Sequence, residues 1–318
     1  MKFEIRMTAC DRPAMLRRAL ESLQAQSFPD WKAIVYDDSS TTASREVVEA
    51  MSDARIAYVR NSQRRGAVGN VDQCFSPVPV FDGTYGCLLE DDNFWFPDFL
   101  AQVADALRTK PWRVVQVNQR LYDEGQGLRP IGETTRSGWF RAGEVGPMEL
   151  RASLLLMEGV SNSGLVWKLG DAIDLRIGNL VPDAGLNEFC RSLIIAEPFF
   201  FIEEPLGVYT VIARENTARA HDKDRVISRG VQAVRRFVLG RHGAVIVDLA
   251  QQIAIRQNAM TRLTHALAYC GHPLRAIGLS TRSLDDTVSA FAKGLAVHLL
   301  QPDPCGAFLR SGRPAMLQ

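Results

Sequence analysis

The sequence predicts an α/β fold, a mostly parallel sheet with flanking helices, followed by a helical C-terminal extension. Three observations predict it. Over the first 120 residues, short apolar runs alternate with amphipathic stretches, as expected for strands separated by single helices. Three polar clusters, two of them acidic, follow the strand-like runs in the same stretch, where an open parallel sheet presents its ligand-binding edge. After about residue 213 the pattern becomes almost wholly helical and basic.

The elements follow in order. Phe3 to Thr8 reads as a strand. Pro13 suits the first position of a helix whose Met15, Leu16, Ala19, Leu20 and Leu23 share one face. Ala33 to Tyr36 is a second strand, stopping at Asp37-Asp38. Val47, Val48 and Met51 mark a helix, Ile56 to Val59 a strand, and Tyr85 to Leu89 a strand ending at Glu90-Asp91-Asp92. Pro97 opens a helix through about Leu107, and Arg113 to Val117 is a fifth strand. From Tyr122 to Pro147 the periodicity disappears and six glycines occur (125, 127, 132, 138, 143, 146), the signature of a long functional loop. Strand-like pieces return at Phe199 to Ile202 and Leu206 to Tyr209. Helical breaks are expected at Gly240, Gly271-His272-Pro273 and Pro302.

Composition narrows the function. The 318 residues carry 37 Lys+Arg against 36 Asp+Glu, a net charge of +1 that gives the chain no general attraction for nucleic acid. The charge is uneven: residues 213–318 hold a surplus of +8 and residues 1–212 a deficit of −7. No run of ~18 apolar residues occurs, and Met1-Lys2-Phe3-Glu4 is no signal peptide. The six cysteines lie far apart in sequence without metal-type pairing, as reduced thiols of a cytoplasmic protein would. Neither a GxGxxG fingerprint nor a GxxxxGK[ST] loop is present, which disfavours a nicotinamide dehydrogenase and a P-loop NTPase.

The acidic turns carry the chemistry. Two carboxylates ~4 Å apart repel by about 4 kcal/mol at an effective dielectric of 20. The nearest basic residues in sequence to Glu90-Asp91-Asp92 are Arg65 and Arg108. The cluster therefore needs a cation, a protonated member or water. Hard oxygen ligands suit Mg²⁺ or Mn²⁺ completed by substrate phosphates. The plain alternative is a helix start, with Asp92 or Asn93 capping the helix near Pro97. A solvated turn is the corresponding alternative for Asp37-Asp38-Ser39-Ser40.

Four ordered blocks then agree with one another: Thr8-Ala9-Cys10-Asp11-Arg12-Pro13, Leu16 to Leu23, Gln26 to Trp31 with Asp37-Asp38-Ser39-Ser40, and Glu90 to Leu100. Together they resemble the family 2 glycosyltransferases over about residues 2–120, loosely to about 217. The resemblance implies a GT-A fold: a catalytic domain over 1–217, with a nucleotide-sugar-binding half (1–120) and an acceptor half (121–217), then a basic helical region over 218–318. It implies that Thr8 and Cys10 line a uracil pocket, Asp38 accepts the uracil N3–H, Arg12 and Arg65 contact the donor, Asp91 faces the ribose and Asp92 holds the divalent metal. Cys10 stands where the family often has an aromatic residue. A single inverting displacement from a UDP- or dTDP-linked donor to an acceptor hydroxyl would need a carboxylate base, for which Asp183 aligns best and Glu188 is the alternative. Asp183 as a helix cap is the plain reading. Ala213 replaces a frequent His, and His221 is the nearby substitute as a metal contact. Ser161 to Gly164 falls at an acceptor-side loop, and Trp139 and Trp167 could offer a sugar-stacking face, with packing as the plainer reading of both.

Two rival functions remain at this stage. A sugar nucleotidyltransferase would carry a Gly-rich basic loop after the first strand, and Thr8 to Pro13 has no Gly. A non-catalytic nucleotide-sugar-binding protein is the rival from a different class. For the basic helices, three readings stay open: packing on the catalytic half, a homodimer interface, or peripheral attraction to a membrane or anionic acceptor.

Overall fold

The computed structural model describes residues 1–125, 127–136, 138–156, 159–170, 173–211, 218–279, 284–300 and 303–314. Two compact units emerge. The first comprises Met1–Val145, Ser161–Gly178 and Pro198–Arg214; the second comprises Gly146–Val160, Asn179–Glu197 and Glu215–Gln318.

The first unit is built on one mixed sheet. In chain order its strands and helices are β1 (Phe3–Ala9), α1 (Pro13–Gln24), β2 (Trp31–Asp37), α2 (Ala43–Met51), β3 (Ile56–Arg60), α3 (Gly66–Cys74), β4 (Tyr85–Glu90), β5 (Phe94–Trp95), α4 (Phe99–Thr109), β6 (Val114–Asp123), β7 (Arg129–Thr134), β8 (Gly143–Val145), β9 (Leu165–Lys168) and β10 (Phe199–Val211). The sheet order is β3-β2-β1-β4-β9-β6-β10-β5, with β7 on β6 and β8 on β10. Strands β3, β2, β1 and β4 are all parallel, as are β6 and β10, while β9 runs antiparallel between β4 and β6. All seven residues of β1 are buried, the charged Glu4 and Arg6 among them, as expected of a central strand in a sheet covered on both faces. Leu16, Ala19, Leu20 and Leu23 of α1 and Phe99, Leu100, Val103 and Leu107 of α4 join Ile5, Met7, Val35 and Leu89 in the core.

Several expectations need correction. The Tyr122–Pro147 stretch is not one structureless loop, because β6 runs on to Asp123 and β7 and β8 follow it. The exposed, Gly-bearing β7 lacks the apolar alternation that marks a strand. Helix α3 has no counterpart in the sequence reading, since its buried face includes the polar Asn70 and Asp72. The two strand pieces at 199–202 and 206–209 form one strand, β10, with register shifts around Pro205. Helix α4 starts at Phe99, not Pro97, after the short β5.

The second unit is helical: α5 (Pro147–Ser153), α6 (Ala184–Ile194), α7 (Ala218–Arg256), α8 (Met260–Tyr269), α9 (Pro273–Leu279), α10 (Leu284–Leu300) and α11 (Gly306–Arg310). The break in α7 falls at Gly243 (φ 56°, ψ −127°) and not at Gly240. Only a glycine adopts that conformation without strain. The expected break at Gly271–Pro273 separates α8 from α9, and Pro302 lies outside the described residues. Arg151 is fully buried and donates to the carbonyls of Pro147, Leu193 and Ile195, satisfying the end of α6. Cys190 and Cys305, far apart in sequence, place their buried sulfurs 3.9 Å apart as free thiols. Among the described residues no helix is long and apolar enough to cross a membrane.

Candidate active site

The parallel register brings the three polar turns to one edge. Thr8 pairs with Tyr36 of β2 and with Glu90 of β4, so β1, β2 and β4 end at the same level. Beyond them lie Cys10-Asp11-Arg12, Asp38-Ser39-Ser40 and Asp91-Asp92-Asn93, with Asn61 to Arg65 following β3.

The two aspartates after β2 divide their work. Asp37 is fully buried and accepts from Ser39 N–H at 2.9 Å, from the Ser39 hydroxyl and from the Tyr58 hydroxyl at 2.7 Å, so it builds the turn. Asp38 accepts from Asn61 Nδ2 at 2.6 Å on one oxygen and from the Arg65 backbone N–H at 3.0 Å on the other. A carboxylate offers about four acceptor positions, so these two bonds orient Asp38 and leave capacity for a further N–H. The solvated-turn alternative does not describe a side chain that is 5% exposed and held from both sides.

The turn after β1 is stitched to the turn after β2. Asp11 adopts φ 52°, a conformation unusual for a non-glycine residue. Its carboxylate accepts from Ser40 N–H and Oγ, while its own N–H donates to Ser39 Oγ. Cys10 is half-buried, and Arg64 Nη2 lies 3.0 Å from its sulfur. Thr8 is buried in β1, and the Arg65 side chain is exposed while its backbone serves Asp38.

The acidic turn is braced from several sides. Asn93 accepts from Thr210 N–H at 2.8 Å and donates to Ser163 Oγ at 2.8 Å and Glu90 Oε2 at 3.2 Å. Arg18 Nη2 and the Thr210 hydroxyl donate to the Asp92 carbonyl. Arg18 also forms an ion pair with Glu124 at 2.9 Å. Neither Asp92 nor Asn93 caps α4, whose N-cap is Asp98, which corrects the helix-start alternative. Arg12 bridges both carboxylates, Nη2 to Asp91 Oδ1 at 2.5 Å and Nη1 to Asp92 Oδ2 at 2.7 Å. Burial pushes the Asp91 carboxyl up to about 7 against the opposing pull of Arg12.

The donor set fits a hard dication only in part on its own. Among the described residues no group of three or more His, Cys, Asp or Glu could hold a metal. Asp92, one-fifth exposed beside the buried Asp91, suits an ion bound through one or two carboxylates and completed by phosphates. The Arg12 contact would have to yield.

Other expected site residues fall elsewhere. Ser161 to Gly164 is a buried turn bracing β6 and the acidic turn, not an open loop: Ser161 N–H donates to Gln116, Ser163 Oγ to Glu90. Trp167 takes the packing reading, fully buried against Phe75 and over Gly86. Trp139 is half-buried. In the second unit, Asp183 caps α6, its Oδ1 accepting from Gly185 N–H at 2.7 Å, and Glu188 lies in the same helix. The side chain of His221, and Ala213 entirely, lie outside the described residues. Sequence reasoning missed Asn61, Arg64, Arg18 and Glu124. Only Asn61, directly after a parallel strand, stood at a recognisable ligand edge.

The sheet order, with the polar turns gathered at one edge of the parallel strands, is that of a GT-A-like α/β fold. Residues 5–155 match the model of the family described as Glycosyl transferase family 2. Protein CgeD of Bacillus subtilis (strain 168) is 26% identical over 206 residues, 59% of this chain and 48% of CgeD. The chain thus spans about half the length of that relative. Among solved structures, S. aureus TarS 1-349 in complex with UDP-GlcNAc superposes with a TM-score of 0.58 at 14% identity, covering 92% of this chain and 89% of that one. The mannosyltransferase PcManGT from Pyrobaculum calidifontis, in complex with GDP-Man and Mn2+, gives a TM-score of 0.50 at 14% identity over 97% and 84% of the two chains. At these identities the likeness is one of fold.

Proposed function

We propose that the chain is a glycosyltransferase that moves a sugar from a UDP-linked, or dTDP-linked, donor to an acceptor hydroxyl with inversion. The observation that carries this reading is Asp38, held on both oxygens at the carboxyl edge between β1 and β3. A fixed carboxylate accepts the N3–H of uracil or thymine; guanine, with its N1–H and N2–H₂ donors, is the competitor that the nucleotide panel separates. Thr8, Cys10 and Arg65 border this base site, and UDP-GlcNAc in TarS supports the choice of a uridine donor.

Asp91 is assigned to the ribose and Asp92 to a divalent cation, Mn²⁺ or Mg²⁺, with Mn2+ in PcManGT as support. Such an ion supplies neutralisation of charge on the departing diphosphate. The chain's own contribution is to fix Asp92 through its carbonyl, held by Arg18 and Thr210, so that its carboxylate is presented in one direction. Asp183 is proposed as the base that takes the acceptor proton, with Glu188 as the alternative. Capping through Oδ1 would fix the Asp183 rotamer.

The test is a thermal-shift panel of UDP, dTDP, GDP, ADP and CDP, each with and without Mn²⁺. A ligand at 100 times its dissociation constant adds about 2.7 kcal/mol of stability. A metal-dependent shift with UDP or dTDP alone supports the reading. A purine preference removes Asp38 as the base reader, and no shift with any nucleotide favours a degenerate, non-catalytic site. Loss of turnover in Asp183→Asn with UDP binding retained would support the base assignment; full turnover would move it to Glu188.

A further inference from the structure

Arg12 occupies the two carboxylates that the proposed function assigns to ribose and metal. Its guanidinium makes three contacts: Nη2 to Asp91 Oδ1 at 2.5 Å, Nε to Asp91 Oδ2 at 3.2 Å, and Nη1 to Asp92 Oδ2 at 2.7 Å. Asp91 is 1% exposed, Asp92 20% and Arg12 36%. The fork is thus closed over the buried acid and open to solvent on its other side. Pro13, at the first position of α1, fixes the backbone immediately after it. The other arginine at this turn, Arg18, is committed to Glu124 and to the Asp92 carbonyl.

We propose that Arg12 is a resident counter-ion that a divalent cation must displace, so that metal and nucleoside diphosphate bind as a pair. A guanidinium stays charged at all accessible pH, so it neutralises the acidic turn while the donor is absent. It cannot share Asp92 Oδ2 with a dication. Displaced, it needs another anion, and a diphosphate likewise offers two oxygens to the guanidinium fork. Metal alone therefore meets a competitor, whereas metal with diphosphate gives the competitor somewhere to go. Coupling of this kind is reciprocal: the nucleotide tightens the metal by the factor by which the metal tightens the nucleotide. The inference rests on the assignment of Asp92 to a metal–nucleotide site.

The test is Mn²⁺ titration by calorimetry on the full chain, without nucleotide and with saturating UDP, for wild type, Arg12→Gln and Arg12→Lys. Wild type is expected to bind Mn²⁺ weakly alone and at least tenfold tighter with UDP. Arg12→Gln is expected to bind Mn²⁺ alone at least tenfold tighter than wild type, with a smaller gain from UDP and weaker metal-free UDP binding. Arg12→Lys keeps the charge but lacks the fork, and should fall between the two. Should Arg12→Gln fail to fold, the lysine variant decides. Mn²⁺ affinity in the variants equal to or below that of wild type overturns the inference. Absence of both UDP and Mn²⁺ binding by wild type overturns the underlying site assignment instead, and Asp92→Asn separates the two by removing Mn²⁺ while leaving the UDP base contacts.

Discussion

Strand β1 carries an acid–arginine constellation at each end, and the two are built differently. At its start, Glu4 and Arg6 share one face of the strand, are 1% and 0% exposed, and pair at 3.1 Å. Glu4 also accepts from the backbone N–H groups of Val80, Phe81 and Gly83, and Arg6 donates to the carbonyls of Cys74, Ser76 and Val78. These bonds pin the segment between α3 and β4. Beyond the end of β1, Arg12 pairs with Asp91 and Asp92, half-open to water and free of such backbone commitments on its guanidinium. The first pair is closed and holds the fold; the second is open and can exchange its partner. Burial of an ion pair alone does not mark function; the proposed role of the second pair rests on its place beyond the strand ends and its exposed member.

Breaking the closed pair should have the largest effect. Glu4→Gln or Arg6→Met leaves one buried charge unmatched, and removing one partner of such a pair costs ~3–5 kcal/mol. Urea unfolding would read this as a lowered midpoint, with UDP affinity of the remaining folded protein unchanged. The open pair should behave oppositely. Asp92→Asn should change unfolding free energy by less than about 1 kcal/mol, since the lost ion pair is partly exposed. It should abolish the Mn²⁺-dependent part of the UDP-induced stabilisation, about 2.7 kcal/mol at 100 times the dissociation constant. Equal stability losses in both sets would erase the distinction drawn between the two ends.

A smaller effect sharpens the same contrast within β4. Gly86 faces Trp167, and an added Cβ would lie 2.7 Å from its ring. Gly86→Ala should therefore destabilise by ~1–3 kcal/mol through overpacking, with nucleotide specificity intact at the far end of that strand. The smallest perturbation uses Cys10, half-buried where the other five cysteines are buried. Brief iodoacetamide treatment should label Cys10 first, and UDP with Mn²⁺ should slow that labelling. Unchanged labelling would place the nucleotide away from Cys10.

The parallel half of the sheet and its polar turns were legible because β2 and β4 are short, mainly apolar runs that stop at Asp37 and Glu90. Pairing was not legible. Arg12 lies 79 residues from Asp91, and nothing local announces that it answers the acidic turn. Asn61 was hidden for the same reason: its partner Asp38 is on the neighbouring strand's turn. Trp167 kept two readings because an aromatic ring looks alike in sequence whether it faces a sugar or packs on Gly86, and packing is the one found. Strands β7 and β8 escaped because edge strands with exposed, Gly-bearing sequences show no alternation. Asp183 as a cap was readable from the helix that follows it, and the cap bond is present.

The most direct test of the account is calorimetric titration of the protein with UDP and, in parallel, GDP, both in the presence of Mn²⁺. PcManGT, of similar fold, is in complex with GDP-Man, and TarS 1-349 with UDP-GlcNAc, so the likeness of fold does not choose between the two bases. The account predicts saturable UDP binding that Asp38→Asn weakens, and GDP binding at least tenfold weaker. GDP binding as tight as UDP, or UDP binding indifferent to Asp38→Asn, would contradict it.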